Sequence, residues 1–108
     1  MKFQVLSSGS SGNMTYIESE NTKIILDAGL TLKEINNRSD IDLSSINAIL
    51  LTHCHIDHTS CLMPLLRKTN AVLYSHRSVI EYLKEKRKYD FTGFKIQYLD
   101  NNKKYLIG

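Results

Sequence analysis

A dense histidine cluster is the feature of this sequence that could do chemistry. Three of its four histidines lie within six residues, in the segment Thr52-His53-Cys54-His55-Ile56-Asp57-His58. Imidazole nitrogens and carboxylate oxygens are ligands that zinc, iron and manganese accept. His53 and His55 are two residues apart, and extended backbone would point both imidazoles to the same side. Asp57 and His58 follow as the chain turns, so the segment predicts a metal site rather than a chance surface cluster.

An apolar run at residues 48–51 leads directly into this cluster. Such a run is typical of a strand buried on both faces. The histidine segment, residues 53–58, is then predicted to be a polar loop that leaves the end of the strand. Ligands on a loop of this kind are held rigidly at the edge of an α/β layer. The position of the cluster therefore agrees with a metal site.

The rest of the sequence predicts strands and helices around this central strand. Strands at residues 2–6, 14–18 and 23–27, joined by tight turns, indicate an antiparallel meander, with a Ser/Gly-rich turn at residues 7–13. Further strands are predicted at residues 48–51, 71–74, 94–98 and 104–107, and helices at residues 30–35, 60–68 and 78–88. Strands followed by alternating strands and helices predict a layered α/β fold.

Composition narrows the class of protein. The chain has 108 residues, 42% apolar and 23% charged, which fits one domain or less and argues against wholesale disorder. Its apolar runs are too short for a membrane helix or a secretory signal. We therefore expect a cytoplasmic protein without a membrane partner, with Cys54 and Cys61 as reduced thiols. The net charge of +3 is mild, and the basic run at residues 84–88 indicates a solvated helix end or, alternatively, a phosphate-contacting patch.

The histidine segment is similar to the signature of the metallo-β-lactamase fold hydrolases, Thr-His-x-His-x-Asp-His after an apolar strand. The Ser/Gly turn at residues 7–13 and the element Asp27-Ala28-Gly29 resemble the YycJ/WalJ branch of that superfamily. Members of the branch are bacterial cytosolic proteins regarded as metal-dependent phosphodiesterases or exonucleases. The resemblance implies an α/β fold, the αββα sandwich, of which residues 1–108 form the amino-terminal half. This half would be a mixed sheet with helices on one face.

The resemblance also implies roles for individual residues. Two divalent metal ions are expected, zinc in the first place, with manganese or iron as alternatives. His53 and His55 match two ligands of one ion, and Asp57 and His58 match two ligands of the other. Asp57 also matches a catalytic residue that orients the nucleophile or accepts its proton. Asp27 matches an aspartate that supports the metal loop without binding metal, although the sequence alone reads it equally well as a turn residue.

The sequence departs from the family pattern after this segment. Family members use further histidines and a bridging aspartate from later strands, and the remaining histidine here, His76, is predicted to begin a helix. Each metal ion would have two protein ligands from this chain, whereas a catalytic zinc normally keeps three. We expect weak metal binding and little or no hydrolysis by the chain alone.

Half of a two-sheet fold would also leave one apolar sheet face uncovered. Ile24, Leu26, Ile49 and Leu51 are the residues expected on that face, covered by a second copy of the chain or by a missing second half. Three functions therefore compete. The first is a metal-dependent phosphodiesterase or exonuclease acting on nucleic acid. The others are a non-catalytic remnant or binding module, and a metallo-hydrolase of another ester, thioester or lactam.

Overall fold

A computed structural model describes residues 1–10 and 12–100, and within them six strands form one mixed sheet in chain order. The strands are β1 (Lys2–Ser7), β2 (Met14–Glu18), β3 (Lys23–Leu26), β4 (Ala48–Leu50), β5 (Val72–His76) and β6 (Ile96–Leu99). The first three pair antiparallel, which confirms the predicted meander, and β3 to β6 pair parallel. The mixed α/β sheet is the expected one. The strand predicted at residues 104–107 lies outside the described residues.

Helices connect the parallel strands. They are α1 (Leu32–Arg38), α2 (Ile56–Thr59), α3 (Leu62–Lys68) and α4 (Arg77–Lys86), with a 3₁₀ turn at Leu43–Ser45. A capping box fixes the start of α1, since the Thr31 hydroxyl accepts from the Glu34 amide while the Glu34 carboxylate accepts from the Thr31 amide. None of the described helices is long and apolar enough to span a membrane.

The helices α1, α3 and α4 pack on one face of the sheet. Ile25, Ile49 and Leu73 are neighbours across β3, β4 and β5, and all three are 0% exposed. The core that covers them comes from the helices, namely Ile35, Leu62, Leu65, Leu66, Ile80 and Leu83. The expectation of helices on one face is thus confirmed.

The opposite face of the sheet is apolar and partly open. Residues of alternate parity share this face, so Ile24 lies beside Ala48, and Leu26 lies beside Leu50. Phe3 is 68% exposed and Val5 is 52% exposed on the same face, at the β1 edge.

The prediction for this face was wrong at two of its four residues. Ile24 and Leu26 lie on it, but Ile49 and Leu51 point toward the helices and are buried. Ile24 pairs with Ala48 and not with Ile49, and a one-residue change of register moves every side chain to the other face.

The predicted loop at residues 53–58 is also only partly correct. Residues 51–54 have no regular secondary structure, but Asp57 and His58 lie in the short helix α2. The first turn of this helix is closed by the Ser60 amide, which donates to the Ile56 carbonyl at 2.8 Å. Asp57 and His58 therefore leave the backbone in directions set by a helix, not by a strand end.

Candidate metal site

The site forms where β3 and β4 end side by side. Because the two strands are parallel, their carboxyl ends meet at one edge of the sheet. Asp27 follows β3 directly, and its amide donates to the Leu50 carbonyl at 2.8 Å. The chain then reverses, with Asp27 at a φ of 64°, a left-handed conformation that aspartate tolerates better than most residues. Residues 51–53 leave β4 next to this turn.

The carboxylate of Asp27 is the centre of a hydrogen-bond network. Its Oδ1 accepts from the Thr52 amide at 2.9 Å. Its Oδ2 accepts from the Thr52 hydroxyl at 2.8 Å and from His58 Nδ1 at 2.8 Å. Asp27 is only 6% exposed, and these donors compensate for the burial of its charge.

This network fixes the tautomers of two histidines. The Thr52 hydroxyl donates to Asp27, so its oxygen is left to accept from His53 Nδ1, 2.8 Å away. His58 likewise carries its proton on Nδ1, which donates to Asp27. The assignment rests on the hydrogen-bond pattern. In the neutral form both imidazoles therefore have their lone pair on Nε2, and a neutral imidazole nitrogen is the group that binds metal.

These side chains lie within reach of a single ion. One ligand atom each from Asp27, His53 and His58 lies within 4.8 Å of the others. The rings of His53 and His58 are 4.7 Å apart between centroids. Two imidazole nitrogens and a carboxylate fit zinc, manganese or iron. Distance alone would allow Asp27 to be a ligand. The hydrogen bonds favour an orienting role, because Oδ2 already accepts two of them.

The other two predicted ligands lie at the rim of this cluster. His55 stacks on His53 with a centroid distance of 5.8 Å and an angle of 10° between the ring planes, so the two imidazoles are side by side as expected. Asp57 Oδ2 lies 3.8 Å from His58 Nε2. The structure thus groups His53 with His58 more tightly than with His55. The division of these residues between two ions stays a prediction.

The sequence did not predict that Arg87 and Tyr89, at and just after the end of α4, form a brace for the histidine segment by hydrogen-bonding to its backbone and to Thr59. Arg87 donates from Nη1 to the Thr59 hydroxyl at 3.3 Å and from Nη2 to the Cys54 carbonyl at 3.2 Å. The Tyr89 hydroxyl donates to the Thr59 carbonyl at 3.0 Å. The basic run at residues 84–88 is therefore not uniformly solvated, since Arg87 holds the histidine segment in place. No local pattern signals this contact.

His76 is not a member of the group of described residues whose ligand atoms lie within 4.8 Å of one another. It is exposed at the junction of β5 and α4 and makes no side-chain cap bond to the helix. The prediction of a helix-start histidine is confirmed. Cys54 and Cys61 are both free thiols, also as predicted.

Fold and site together define an α/β protein with a candidate metal centre at the carboxyl edge of its parallel strands. The chain belongs to the metallo-beta-lactamase superfamily, whose family model matches residues 8–106. Solved structures with this fold agree. A diphosphatase of the PhnP family superposes with a TM-score of 0.77 at 19% identity, covering 96% of this chain and 52% of its own. The short form of human tRNase Z gives 0.65 at 18% identity, covering 91% and 44%.

Curated relatives share more of the sequence. Exodeoxyribonuclease WalJ of Streptococcus pneumoniae serotype 2 is 42% identical over 81 residues, and Exodeoxyribonuclease YycJ of Bacillus anthracis is 35% identical over 79 residues. The matches cover 69% and 70% of this chain, but only 29% and 30% of the two relatives. The resemblance to the YycJ/WalJ branch is confirmed, and this chain corresponds to a minor part of each relative's length.

Proposed function

We propose that this chain carries part of the active site of a metal-dependent hydrolase, a phosphodiesterase or exonuclease that acts on nucleic acid. The observation that carries the proposal is the Asp27 network. It places the lone pair of each neutral imidazole on Nε2, and Nε2 of His58 lies 3.8 Å from the carboxylate of Asp57. A structural role alone would not require two oriented lone pairs at an accessible sheet edge.

Each residue of the network has its own task in this proposal. His53, His55, Asp57 and His58 would hold divalent metal ions, of which zinc is the first candidate and manganese or iron the alternatives. When bound, such ions supply a hydroxide near neutral pH and stabilise charge on phosphate oxygens. Asp27 keeps the imidazoles of His53 and His58 in the ligating tautomer, and Asp57 orients the nucleophile or accepts its proton.

The nucleic-acid part of the proposal rests on the curated relatives. Both are named exodeoxyribonucleases. They are 35% and 42% identical to this chain over matches that cover about 70% of it. A cytoplasmic location belongs to the same proposal. The structural neighbours carry several different activities at 18% to 19% identity, so they support the fold and leave the substrate open.

Metal binding by the purified chain tests the site directly. We expect Zn²⁺ or Mn²⁺ to bind weakly, and His58→Ala to weaken binding by about 10-fold or more because it removes a ligand. His76→Ala is the matched control, since His76 lies outside the cluster and should leave binding unchanged. A wild-type chain that binds neither ion at millimolar concentration would contradict the proposal, as would equal losses in the two variants.

The substrate is tested in a hybrid protein. This chain replaces the matching segment of the Streptococcus exodeoxyribonuclease, and hydrolysis of end-labelled DNA is measured with and without a chelator. We expect chelator-sensitive cleavage that His58→Ala abolishes and His76→Ala preserves. A folded, metal-loaded hybrid that cleaves a thioester or lactam but no DNA would support the other hydrolase function instead.

The isolated chain should turn over little or no DNA. Divided between two ions as proposed, His53, His55, Asp57 and His58 would give each ion two protein ligands, whereas a catalytic zinc normally has three. Rapid, stoichiometric, chelator-sensitive turnover by a monomer of the chain would contradict this. A chain that neither binds metal through His58 nor gains activity in the hybrid would instead be a non-catalytic remnant or binding module.

The open sheet face bears on how the chain exists in solution. Phe3 and Val5 are exposed apolar residues on this face, and Ile17, Ile24 and Leu26 beside them are only half-buried. Exposed patches of this kind favour association. We expect the isolated chain to self-associate through this face or to pair with a second half of the domain. Sedimentation of a clean monomer that binds no hydrophobic dye would count against it.

A further inference from the structure

The side chain of Asn13 joins the Ser/Gly turn to the candidate metal site. Its Nδ2 lies 3.0 Å from Oδ2 of Asp57, in hydrogen-bonding geometry, although the two residues are 44 positions apart in the chain. The sequence predicted residues 7–13 to be a turn between β1 and β2, and this turn is one of the elements that resemble the YycJ/WalJ branch. The structure brings its last residue into contact with the carboxylate that the proposed function makes catalytic.

The orientation of the Asn13 amide is settled by a second pair of hydrogen bonds. Its Oδ1 accepts from the Gly9 amide at 3.1 Å, and its Nδ2 donates to the Gly9 carbonyl at 2.9 Å. Exchanging the amide oxygen and nitrogen would put donor against donor and acceptor against acceptor at Gly9. The remaining Nδ2 proton is therefore directed at Asp57, where Nδ2 lies 3.0 Å from Oδ2 and 3.4 Å from the backbone carbonyl oxygen. An acceptor in place of Nδ2 would break the turn.

Backbone hydrogen bonds fix the position of Asn13 relative to α2. The Asn13 amide donates to the Asp57 carbonyl at 2.7 Å, and the Asn13 carbonyl accepts from the Gly29 amide at 3.0 Å. Gly12 allows the approach, because a Cβ there would lie 2.5 Å from the Gly29 carbonyl oxygen and its φ is +149°. The turn is thus packed against both segments that form the site.

We propose that Asn13 is a positioning residue that fixes the carboxylate of Asp57 for metal and substrate. The Asp57 side chain is 26% exposed on a four-residue helix, where an untethered carboxylate would sample several rotamers. The bond from Asn13 holds Oδ2 of Asp57 at 3.8 Å from Nε2 of His58, which is the neighbouring candidate ligand atom. The inference rests on the proposed function through the role of Asp57.

A double-mutant cycle on Mn²⁺ binding separates positioning from general support of the turn. Mn²⁺ is chosen as the probe because it prefers carboxylate over thiol ligands, so Cys54 interferes little. We expect Asn13→Ala to weaken Mn²⁺ binding by about 10-fold in the wild-type background, the lower end of the usual loss for a residue that orients a ligand. In an Asp57→Ala background the same change should alter binding less than about 2-fold, since the coupling then has no partner. Asn37→Ala, an exposed asparagine of α1, is the matched control.

Two outcomes of the cycle would overturn the inference. One is an equal loss in both backgrounds, which would mean that Asn13 only supports the fold of the site. The other is no loss in either background. Asn13→Ser provides a second variant should Asn13→Ala fail to fold. A serine hydroxyl can still make a local turn bond but is too short to reach Asp57 as well, so we expect it to weaken binding about as much as Asn13→Ala in the wild-type background.

A spectroscopic arm keeps the inference testable if the proposed function fails. Without any metal, the side-chain amide resonances of Asn13 should be shifted from ordinary values and should move on Asp57→Ala, while those of Asn37 should not. A wild-type chain that binds no Mn²⁺ would refute the proposed function but not this contact. Asn13 resonances that are unaffected by Asp57→Ala would refute the positioning role itself.

Discussion

Replacing Asp27 by asparagine should reverse the tautomers of two histidines without changing the backbone. Asparagine tolerates the left-handed φ of 64° at this position at least as well as aspartate. Its Oδ1 can still accept from the Thr52 amide. Its NH₂ group, however, would face the Thr52 hydroxyl proton and the His58 Nδ1 proton, donor against donor. The conflict is relieved when Thr52 accepts from the amide and donates to His53 Nδ1, and when His58 moves its proton to Nε2.

The size of the effect follows from the bonds that change. Asp27 accepts three hydrogen bonds, and bonds to a charged group contribute about 1.5–3 kcal/mol each. The asparagine re-forms all three bonds, but as bonds between neutral groups. We therefore expect the free energy of unfolding to fall by only about 1–3 kcal/mol. Metal affinity should suffer more. Each Nε2 loses its lone pair, and loss of an orienting partner typically costs about 10–100-fold in affinity.

Long-range ¹H–¹⁵N spectra of the histidine rings at pH 8 report the tautomers directly. The wild-type chain should show protonated Nδ1 at His53 and His58, and Asp27→Asn should show protonated Nε2 at both. Asp40→Asn, at an exposed position on the α1 side, serves as the charge-matched control. Unchanged tautomers in Asp27→Asn, together with unchanged Mn²⁺ or Zn²⁺ affinity, would refute the reasoning that one carboxylate sets both imidazoles.

Three further predictions concern the support of the site and the stability of the fold. Gly29→Ala should cost about 3 kcal/mol or more in the free energy of unfolding, because a Cβ there would clash with the Asp57 carbonyl and lie 2.5 Å from the Asn13 nitrogen. Arg87→Ala should cost about 1–2 kcal/mol and lower metal affinity, and Arg87→Lys should rescue little because lysine lacks the fork that reaches two acceptors. Burial, aided by the hydrogen bond to the Glu18 carboxylate, raises the pKa of Tyr16 to about 12. The stabilising effect of the neutral phenol should be complete below pH 10 and lost as the pH rises from 10 to 12, and Tyr16→Phe should lack this step.

Urea unfolding and pH-dependent melting check these expectations. Gly93→Ala is the comparison for Gly29, since its φ is +87° but no atom lies within 4 Å, so only backbone strain of about 1 kcal/mol is expected. Equal losses at the two glycines would contradict the close-approach argument. Full rescue by Arg87→Lys would contradict the two-acceptor brace. Parallel pH profiles for wild type and Tyr16→Phe would contradict the sign and range given for Tyr16.

Local patterns predicted most elements of the fold but misassigned the faces of its central strand. The predicted strand at residues 14–18 matches β2, and the run before the histidines matches β4 to within one residue. In a strand buried on both faces, however, every residue is apolar, so the sequence does not say which parity meets the helices. Only the parallel register that sets Ile25 beside Ile49 decides it. In β2 the side chains do alternate in burial: Tyr16, beside Ile25, is buried, and Thr15, beside Leu26, is half-buried.

The candidate site divides in the same way between local and long-range information. The stacking of His53 and His55 was predictable from local spacing, because residues two apart in extended backbone point to the same side. The bonds from Asp27 to Thr52 and His58 span 25 and 31 residues, and the brace from Arg87 to Cys54 spans 33. No periodicity encodes such contacts. The two bonds of Asp27 exist because β3 and β4 pair in parallel, and the bond of Arg87 exists because α4 ends beside the histidine segment.

These long-range bonds also change what weak metal binding would mean. The tautomers of His53 and His58 are set by Asp27, and Asp57 is tethered by Asn13, so the orientation of these groups needs no metal. A chain that binds an ion weakly, yet shows wild-type ring tautomers and the Asn13 contact, would therefore have an organised site with too few ligands. A chain with mixed tautomers would instead lack the Asp27 hydrogen bonds, which depend on the pairing of β3 with β4. Ring spectra recorded without metal distinguish the two cases, and the structure predicts the first.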